Sequence, residues 1–548
     1  MNRLHEATDA GCGDSEQERA VAAEAEVRKR GHIALASMVA VACLLFAFVY
    51  PPFDVGTIAL VAVAPVALVL LDPSLRCSLA AAAGSGLAFG WLAALMIVGP
   101  WMYQAAAQYF DKPATFAAAF TVAVNGGYVA VFYAALFALL RLLAAASPVQ
   151  AVLGTASLWT GLEYVRAAAA GNAWALLGQG LHDVPVLREA AGAGGVWLLT
   201  WACALTGAAI GVALRRDIDA RARRLAIDLA VAGPVVLALL AWATRPAPAG
   251  RALLPLRVAG VQADIAGTDL WKPELRMAHL QRYVEMTREL EPGRVDLVVW
   301  PENAVPLLLD ADKAVRERLA DLARTLGSAL LVGAPRSSSG GDGTARFFNS
   351  AWLFAPDGSV AHYDKLHLLP YIETSPAFMP VIAPSAQYDE GDGVVLFDVA
   401  GWRVAPLICL EAIHPGYARA AAMTGADVFV NISNDAWFGA GYGPEQHHVM
   451  SVLRAAESRR PMVRVANGGV TGAVDARGAP IGERSVRSTG VRLFEVAPAD
   501  KPLSFFHRWG DWAAWAALVH SALLCGHALR RRRQAANRAF RDEKPANA

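Results

Sequence analysis

"VAPLICLEAIHP", residues 404–415, runs as an apolar strand into one cysteine, Cys409, with Glu411 two residues beyond it. The chain of 548 residues has six cysteines (Cys12, Cys43, Cys77, Cys203, Cys409 and Cys525), and only Cys409 falls between residues 250 and 500. Around it, residues 255–499 read as α/β. Strand-like "RVAGVQA", "VDLVVWP", "ALLVGAP", "WRVAPLIC" and "DVFVNIS" alternate with helix-like "WKPELRMAHLQRYVEMTREL" and "HHVMSVLRAAESR". A block of that length buries a core of its own. "SSSGGDG" at 337–343 reads as a surface turn and lacks the Lys-Ser/Thr ending of a phosphate loop.

Three of these strands end in a reactive side chain: "DLVVWPEN" delivers Glu302, "AHYDKLHLLP" delivers Lys365 and "APLICLE" delivers Cys409. Strand ends of α/β proteins open onto a shared crevice, so distant residues can converge there. A thiol benefits from an adjacent base, a carboxylate can take its proton, and an ammonium can stabilise an oxyanion. Each residue also has a plainer reading. A lone cysteine after a strand is most often a small buried hydrophobe, and a lone Glu or Lys in such a turn is most often solvated. Against this, an unneeded free thiol is a liability in an oxidising compartment, and the rest of the chain predicts that this block faces one.

The composition is 55% hydrophobic and only 18% charged, outside the range of ordinary soluble domains. Net charge +1 gives no support for nucleic-acid binding. Apolar runs at 33–50, 54–71, 78–99, 115–140, 149–165, 189–213, 225–244 and 511–529 predict about eight transmembrane helices. Glu163 and Arg166 close the fifth run and are spaced to pair one turn apart at the outer interface. The basic clusters Arg28–Arg30, Arg215–Arg224 and Arg530–Arg533 all fall on one face, which predicts that this face is cytoplasmic. The expected organisation is a cytoplasmic tail at 1–32, seven helices within 33–250 and an extracytoplasmic domain at 251–500. A last helix with its basic flank follows at 501–533, then a cytoplasmic tail at 534–548.

"WPEN", "YDKLHLLP" and "ICLE" together resemble the Glu-Lys-Cys triad of the nitrilase, or carbon–nitrogen hydrolase, superfamily. "NISNDAWFG" at 431–439, "GPEQHH" at 443–448 and "RRPMVRVANGGVTG" at 459–472 continue the match in order. "YPPFDVGTIALVAVAPVAL" and "ASLWTGLEYVR" in the membrane part, "VQADIAGTDLWKPE" at the domain entry and "HRWGDWAAW" before the last span narrow it. With them the chain, from about residue 33 to 533, resembles the apolipoprotein N-acyltransferase family.

The resemblance implies an α-β-β-α sandwich joined to a polytopic helical membrane domain in the bacterial inner membrane. It implies acyl transfer from a phospholipid, through a Cys409 thioester, to the α-amine of a diacylglyceryl-cysteine lipoprotein, without cofactor or metal. Glu302 is then general base and acid, and Lys365 the oxyanion partner. Glu373, eight residues after Lys365, and Glu411 match supporting carboxylates, and Trp271 matches a tryptophan of the lipid site. His447 and His448, adjacent and so facing different ways on a helix, read as packing or hydrogen-bonding residues. The apolar stretch "YIETSPAFMPVIAP", 371–384, either packs on the domain or forms a lid dipping into the bilayer. The chain departs from the family pattern at Leu410, where Tyr is usual, at Ile372, where Gly is usual, and at Ala173, where Pro precedes Trp174. Three other readings compete: a membrane-anchored amidase, a divergent acyltransferase using another amine, and a transporter carrying an inactive domain. The transporter would need ionisable residues mid-membrane and inverted repeats, and neither is evident in the sequence.

Overall fold

The computed structural model describes residues 10–171, 173–245, 253–339, 344–369, 373–374, 388–499 and 503–542. All eight apolar runs are helical, and among the described residues six helices are long and apolar enough to cross a membrane: Lys29–Val49, Leu79–Ile97, Ala114–Ala145, Ala191–Ala213, Ala220–Ala243 and Trp512–Ala535. The second run is a 3-10 turn, Gly56–Leu60, followed by the short helix Ala64–Leu70. The fifth is the helix Pro148–Ala170, interrupted in its apolar character by Glu163 and Arg166. Helix also extends through both basic flanks, as Ala10–Val49 and Trp512–Asp542. Local sequence sets several starts: Ser78 accepts the Ala81 N–H at 3.1 Å and Asp219 accepts the Ala222 N–H at 2.7 Å, each satisfying a first-turn donor.

Glu163 and Arg166 do not form the expected pair; each finds partners of its own. Both are buried. Glu163 accepts from Trp159 Nε1 at 3.0 Å and from the Leu177 N–H at 3.1 Å, while Arg166 Nη2 donates to the Trp174 carbonyl at 3.0 Å. A polar side chain in an apolar bundle costs least when such partners are fixed in place.

Among the described residues the α/β block contains twelve strands: β1 Leu256–Gln262, β2 Leu297–Val299, β3 Ala329–Ser339, β4 Ala345–Phe354, β5 Val360–Asp364, β6 Phe397–Val399, β7 Trp402–Ile408, β8 Val428–Asn434, β9 Met462–Asn467, β10 Val470–Val474, β11 Pro480–Val486 and β12 Gly490–Val496. They form two six-stranded sheets, ordered β12-β1-β2-β3-β4-β5 and β11-β10-β9-β8-β7-β6. Strand periodicity divides the core into layers. Val258, Leu297, Val299, Val428, Val430 and Ile432 point between the sheets. Their neighbours Ala259, Val261 and Val298 face the helices Arg276–Arg288 and Lys313–Leu326. Phe429, Ala405 and Leu407 face the helix Pro415–Met423 on the far side. The result is the α-β-β-α sandwich. Ser337–Ser339 of the serine-rich stretch end β3, and the remainder of it, 340–343, lies outside the described residues. So does 371–384, except for Glu373 and Thr374.

The helix Gly443–Ser458 seats the sandwich on the membrane helices. Its Gln446 side chain, fully buried, accepts from Trp101 Nε1 at 3.1 Å and Trp174 Nε1 at 3.0 Å, and donates to the Pro51 and Ile97 carbonyls at 3.0 and 2.9 Å. All of its hydrogen-bonding capacity is spent on the membrane part. Glu457, on the same helix, accepts the Val196 N–H at 2.8 Å, where Gly194 and Gly195 break the helix Ala191–Ala213.

Candidate active site

Glu302 stands in the turn that follows β2, with Asn303 in left-handed backbone at φ 54°. This turn lies so close to β3 that a Cβ at Gly333 would fall 2.3 Å from the Pro301 carbonyl oxygen, so position 333 requires glycine. Lys365 follows directly after β5, and its backbone N–H donates to the Asn349 carbonyl at 2.9 Å, extending the ladder with β4. Cys409 follows β7 and turns the chain with φ 53° into a short 3-10 helix, Cys409–Ile413.

The fold brings Glu302, Lys365 and Glu373 into one buried cluster. Lys365 Nζ lies 2.7 Å from Glu373 Oε2 and 3.4 Å from Glu302 Oε1. Asn349, inside β4, donates its Nδ2 to both carboxylates, at 2.7 Å to each. The second oxygen of Glu302 accepts the Asn434 backbone N–H at 2.8 Å, from the end of β8 in the opposite sheet. Glu373 also accepts the Leu369 N–H at 2.8 Å. Lys365 is only 1% exposed, yet it keeps its proton: burial opposes the charge, and Glu373 and Glu302 outweigh burial, holding the ammonium well above its ordinary range. Burial pushes the Glu302 carboxyl up against the pull of Lys365. Burial and the Glu302 charge push the Cys409 thiol well up. Cys409 therefore rests as a thiol within electrostatic reach of the Glu302 carboxylate and the Lys365 ammonium, an arrangement suited to covalent catalysis that begins with proton transfer.

Glu411 is fully buried and binds the Lys365 and Cys409 turns together. It accepts the Ile408 N–H at 2.7 Å, the Leu366 N–H at 2.7 Å, the His367 N–H at 3.2 Å and the Tyr363 hydroxyl at 2.8 Å. Burial still raises its carboxyl to about 7. Trp271 is exposed and donates its Nε1 to the Tyr109 hydroxyl at 3.2 Å. Burial drives that hydroxyl up to about 12 against the Trp271 bond, with Glu302, Cys409 and Glu373 near enough to add to the effect. His447 is fully buried beneath the Cys409 turn, Nε2 3.3 Å from the Cys409 carbonyl oxygen. Of the positions departing from the family pattern, Leu410 is buried and the Ala173 carbonyl accepts Gln179 Nε2 at 2.7 Å, while Ile372 lies outside the described residues.

Sequence reading missed Asn349 and Asn434. Nothing local marks an asparagine within β4 as a bridge between two carboxylates, and a backbone N–H carries no sequence signal at all. Asp435 and Arg464 were missed too, although "NISNDAWFG" and "RRPMVRVANG" contain them. Among the described residues, no three His, Cys, Asp or Glu side chains gather as metal ligands.

Comparison with known proteins covers both halves of the chain. The carbon–nitrogen hydrolase family matches residues 257–500, and the apolipoprotein N-acyltransferase N-terminal domain matches residues 42–209. An apolipoprotein N-acyltransferase of Geobacter metallireducens is 34% identical over 68% of this chain and 74% of its own. One from Azotobacter vinelandii is 36% identical over 71% of this chain and 74% of its own. A third, from Methylococcus capsulatus, is 30% identical over 92% of this chain and 97% of its own. With a nitrilase-type sandwich seated on apolar helices and relatives aligned across that junction, the chain belongs to the apolipoprotein N-acyltransferase family.

Proposed function

We propose that this acyltransferase moves an acyl chain from a membrane phospholipid, through a Cys409 thioester, to the α-amine of a diacylglyceryl-cysteine lipoprotein. The observation that carries this reading is the buried ammonium of Lys365 held between Glu302 and Glu373 beside the Cys409 turn, in a domain locked onto membrane helices. Lipid must reach this thiol, and a seat on the bilayer provides that access.

Glu302 takes the Cys409 proton as sulfur attacks the sn-1 ester carbon. The Lys365 ammonium faces the resulting oxyanion, which needs no reorganisation of the site. Collapse breaks the ester C–O bond, and the lysophospholipid alkoxide leaves with the proton that Glu302 returns. The acceptor amine then attacks the thioester and loses a proton to Glu302. Collapse breaks the C–S bond, forms the amide and restores the Cys409 thiol with that proton. Glu373 and Asn349 fix Lys365 and Glu302, and Glu411 fixes the turns that carry Lys365 and Cys409. Trp271, joined to Tyr109, forms part of the lipid approach. Residues 251–500 lie on the extracytoplasmic side of the bacterial inner membrane, with both termini cytoplasmic, a reading that the bias of the basic clusters supports.

The thioester is the direct test. Incubated with phospholipid and no amine, the protein gains the mass of one acyl chain at Cys409, released by neutral hydroxylamine. Cys409→Ser and Glu302→Gln form no adduct. A diacylglyceryl-cysteine peptide discharges the adduct onto its α-amine, and an N-acetylated peptide does not. An adduct that drains equally fast to water identifies an amidase-like hydrolase instead.

A further inference from the structure

Cys409 holds φ 53°, left-handed backbone that a residue with a Cβ rarely adopts. Such a conformation persists only where its surroundings over-determine it. Two fully buried side chains from separate elements converge on the Cys409 carbonyl oxygen. Asn431 Nδ2, from β8, donates at 3.3 Å, and His447 Nε2, from the helix Gly443–Ser458, lies at 3.3 Å. A carbonyl oxygen only accepts, so the His447 nitrogen facing it must carry hydrogen.

The other face of the ring permits this in either charge state. Arg464 Nη2 stands 3.0 Å from Nδ1 and donates into it when the ring is neutral. Asp435 Oδ1 stands 3.1 Å from Nδ1 and accepts its hydrogen when the ring is charged. The excluded form is the neutral Nδ1–H tautomer, which would set the Nε2 lone pair against the Cys409 carbonyl. Asp435 and Arg464 are themselves joined at 2.6 Å, and Ser433 donates its hydroxyl to Asp435 at 2.7 Å, so the ring is held from behind. Trp174 of the membrane part lies against the ring, with centroids 5.9 Å apart.

We propose that His447 is a positioning residue for acyl transfer: its Nε2–H, together with Asn431, pins the Cys409 carbonyl and so fixes the left-handed turn from which the thiol reaches the acyl carbon. This rests on Cys409 being the nucleophile.

Two polar substitutions of similar bulk separate positioning from packing. The glutamine side chain of His447→Gln carries an amide N–H to about the place of imidazole Nε2, whereas the amide of His447→Asn stops near Nδ1. Full-length protein in phosphatidylethanolamine vesicles without amine is followed in single turnover by intact-mass analysis of the Cys409 adduct. His447→Gln acylates within about fivefold of the parent, and His447→Asn is slower by about 10- to 100-fold, the range expected for one lost buried hydrogen bond. The vesicle concentration for half-maximal rate stays within about twofold, because the lipid site is untouched. Alkylation of Cys409 by iodoacetamide follows the same order. Equal rates for the two variants, fast or slow, overturn the proposal and leave His447 as packing. A parent protein that forms no Cys409 adduct fails earlier, at the nucleophile assignment, and His447's role falls with it.

Discussion

The carboxylate of Glu411 lies 2.7 Å from the backbone N–H of Leu366, so the turn after the Cys409 strand is tied to the segment that carries Lys365. The same carboxylate accepts from Ile408, His367 and Tyr363. Two loops separated by more than forty residues of sequence thereby share one buried acceptor.

Glu411→Ala leaves three backbone N–H groups and a tyrosine hydroxyl without their acceptor. Orphaned buried donors of this kind cost about 2–5 kcal/mol in total after relaxation. Thermal unfolding in detergent is expected at a clearly lower temperature, with acyl transfer lost. Glu411→Gln keeps an oxygen for the Leu366 side but turns an NH₂ toward the Ile408 N–H, so its unfolding temperature falls between the two. A Glu411→Ala protein as stable as the parent contradicts this account.

Lys365→Arg preserves charge and replaces a compact ammonium with a broad planar fork. Lys365 Nζ is enclosed between Glu373 at 2.7 Å and Glu302 at 3.4 Å, and the side chain is 1% exposed, which leaves no room for the fork. Acyl transfer is expected to fall by about 100-fold or more, in line with loss of an oxyanion donor. Single-turnover acylation checks this, and near-parental rates would make Lys365 a merely structural cation.

Burial raises the Glu302 carboxyl above its ordinary value of 4.5, Lys365 opposing and Glu373 adding to the rise. A base acts only while ionised, so activity is lost as pH falls through the folded-state pKa. Because that pKa is raised, the acid limb of the acylation rate lies above pH 4.5. Stability follows the opposite sign: the folded state binds this proton more tightly than the unfolded one, so the Glu302 contribution to stability declines as pH rises across the same window. A pH series of acylation rate and unfolding temperature reads both slopes. An acid limb at or below 4.5 rules out a buried base of this kind.

Topology is checked with reporters placed at the exposed turn Asp357–Gly358, between β4 and β5, and after Arg533. The two sites are expected on opposite sides of the membrane, the first outside and the second inside. Finding both on one side would break the agreement between the basic clusters and the number of crossings.

Much of this architecture is written locally in the chain. An apolar run of helical length declares itself residue by residue, as in Ala191–Ala213 and Trp512–Ala535. Alternation such as Val428–Phe429–Val430 assigns each side chain to a face, because strand geometry has period two. Glu302, Lys365 and Cys409 were visible because each terminates such a run, and a strand end is a place a sequence can mark. What the sequence could not express is pairing across space. The Asn434 N–H that holds Glu302 belongs to the opposite sheet, and a backbone group has the same chemistry in every residue. Asn349 bridges two carboxylates only because β4 lies beside both the Glu302 turn and the start of the Glu373 segment. His447 read as a packing or hydrogen-bonding residue beside His448, and its partner, the Cys409 carbonyl, is met only once a helix is laid under the β7 end. Glu163 and Arg166, one turn apart and of opposite charge, were spaced to bond each other, yet buried tryptophan, backbone N–H and carbonyl partners took both. Local patterning determined the elements and the reactive residues at their ends, since hydrophobic period is a property of neighbours in sequence. Tertiary structure decided which donors satisfy which charges, since burial makes every polar group bond to whatever the packed fold sets within reach.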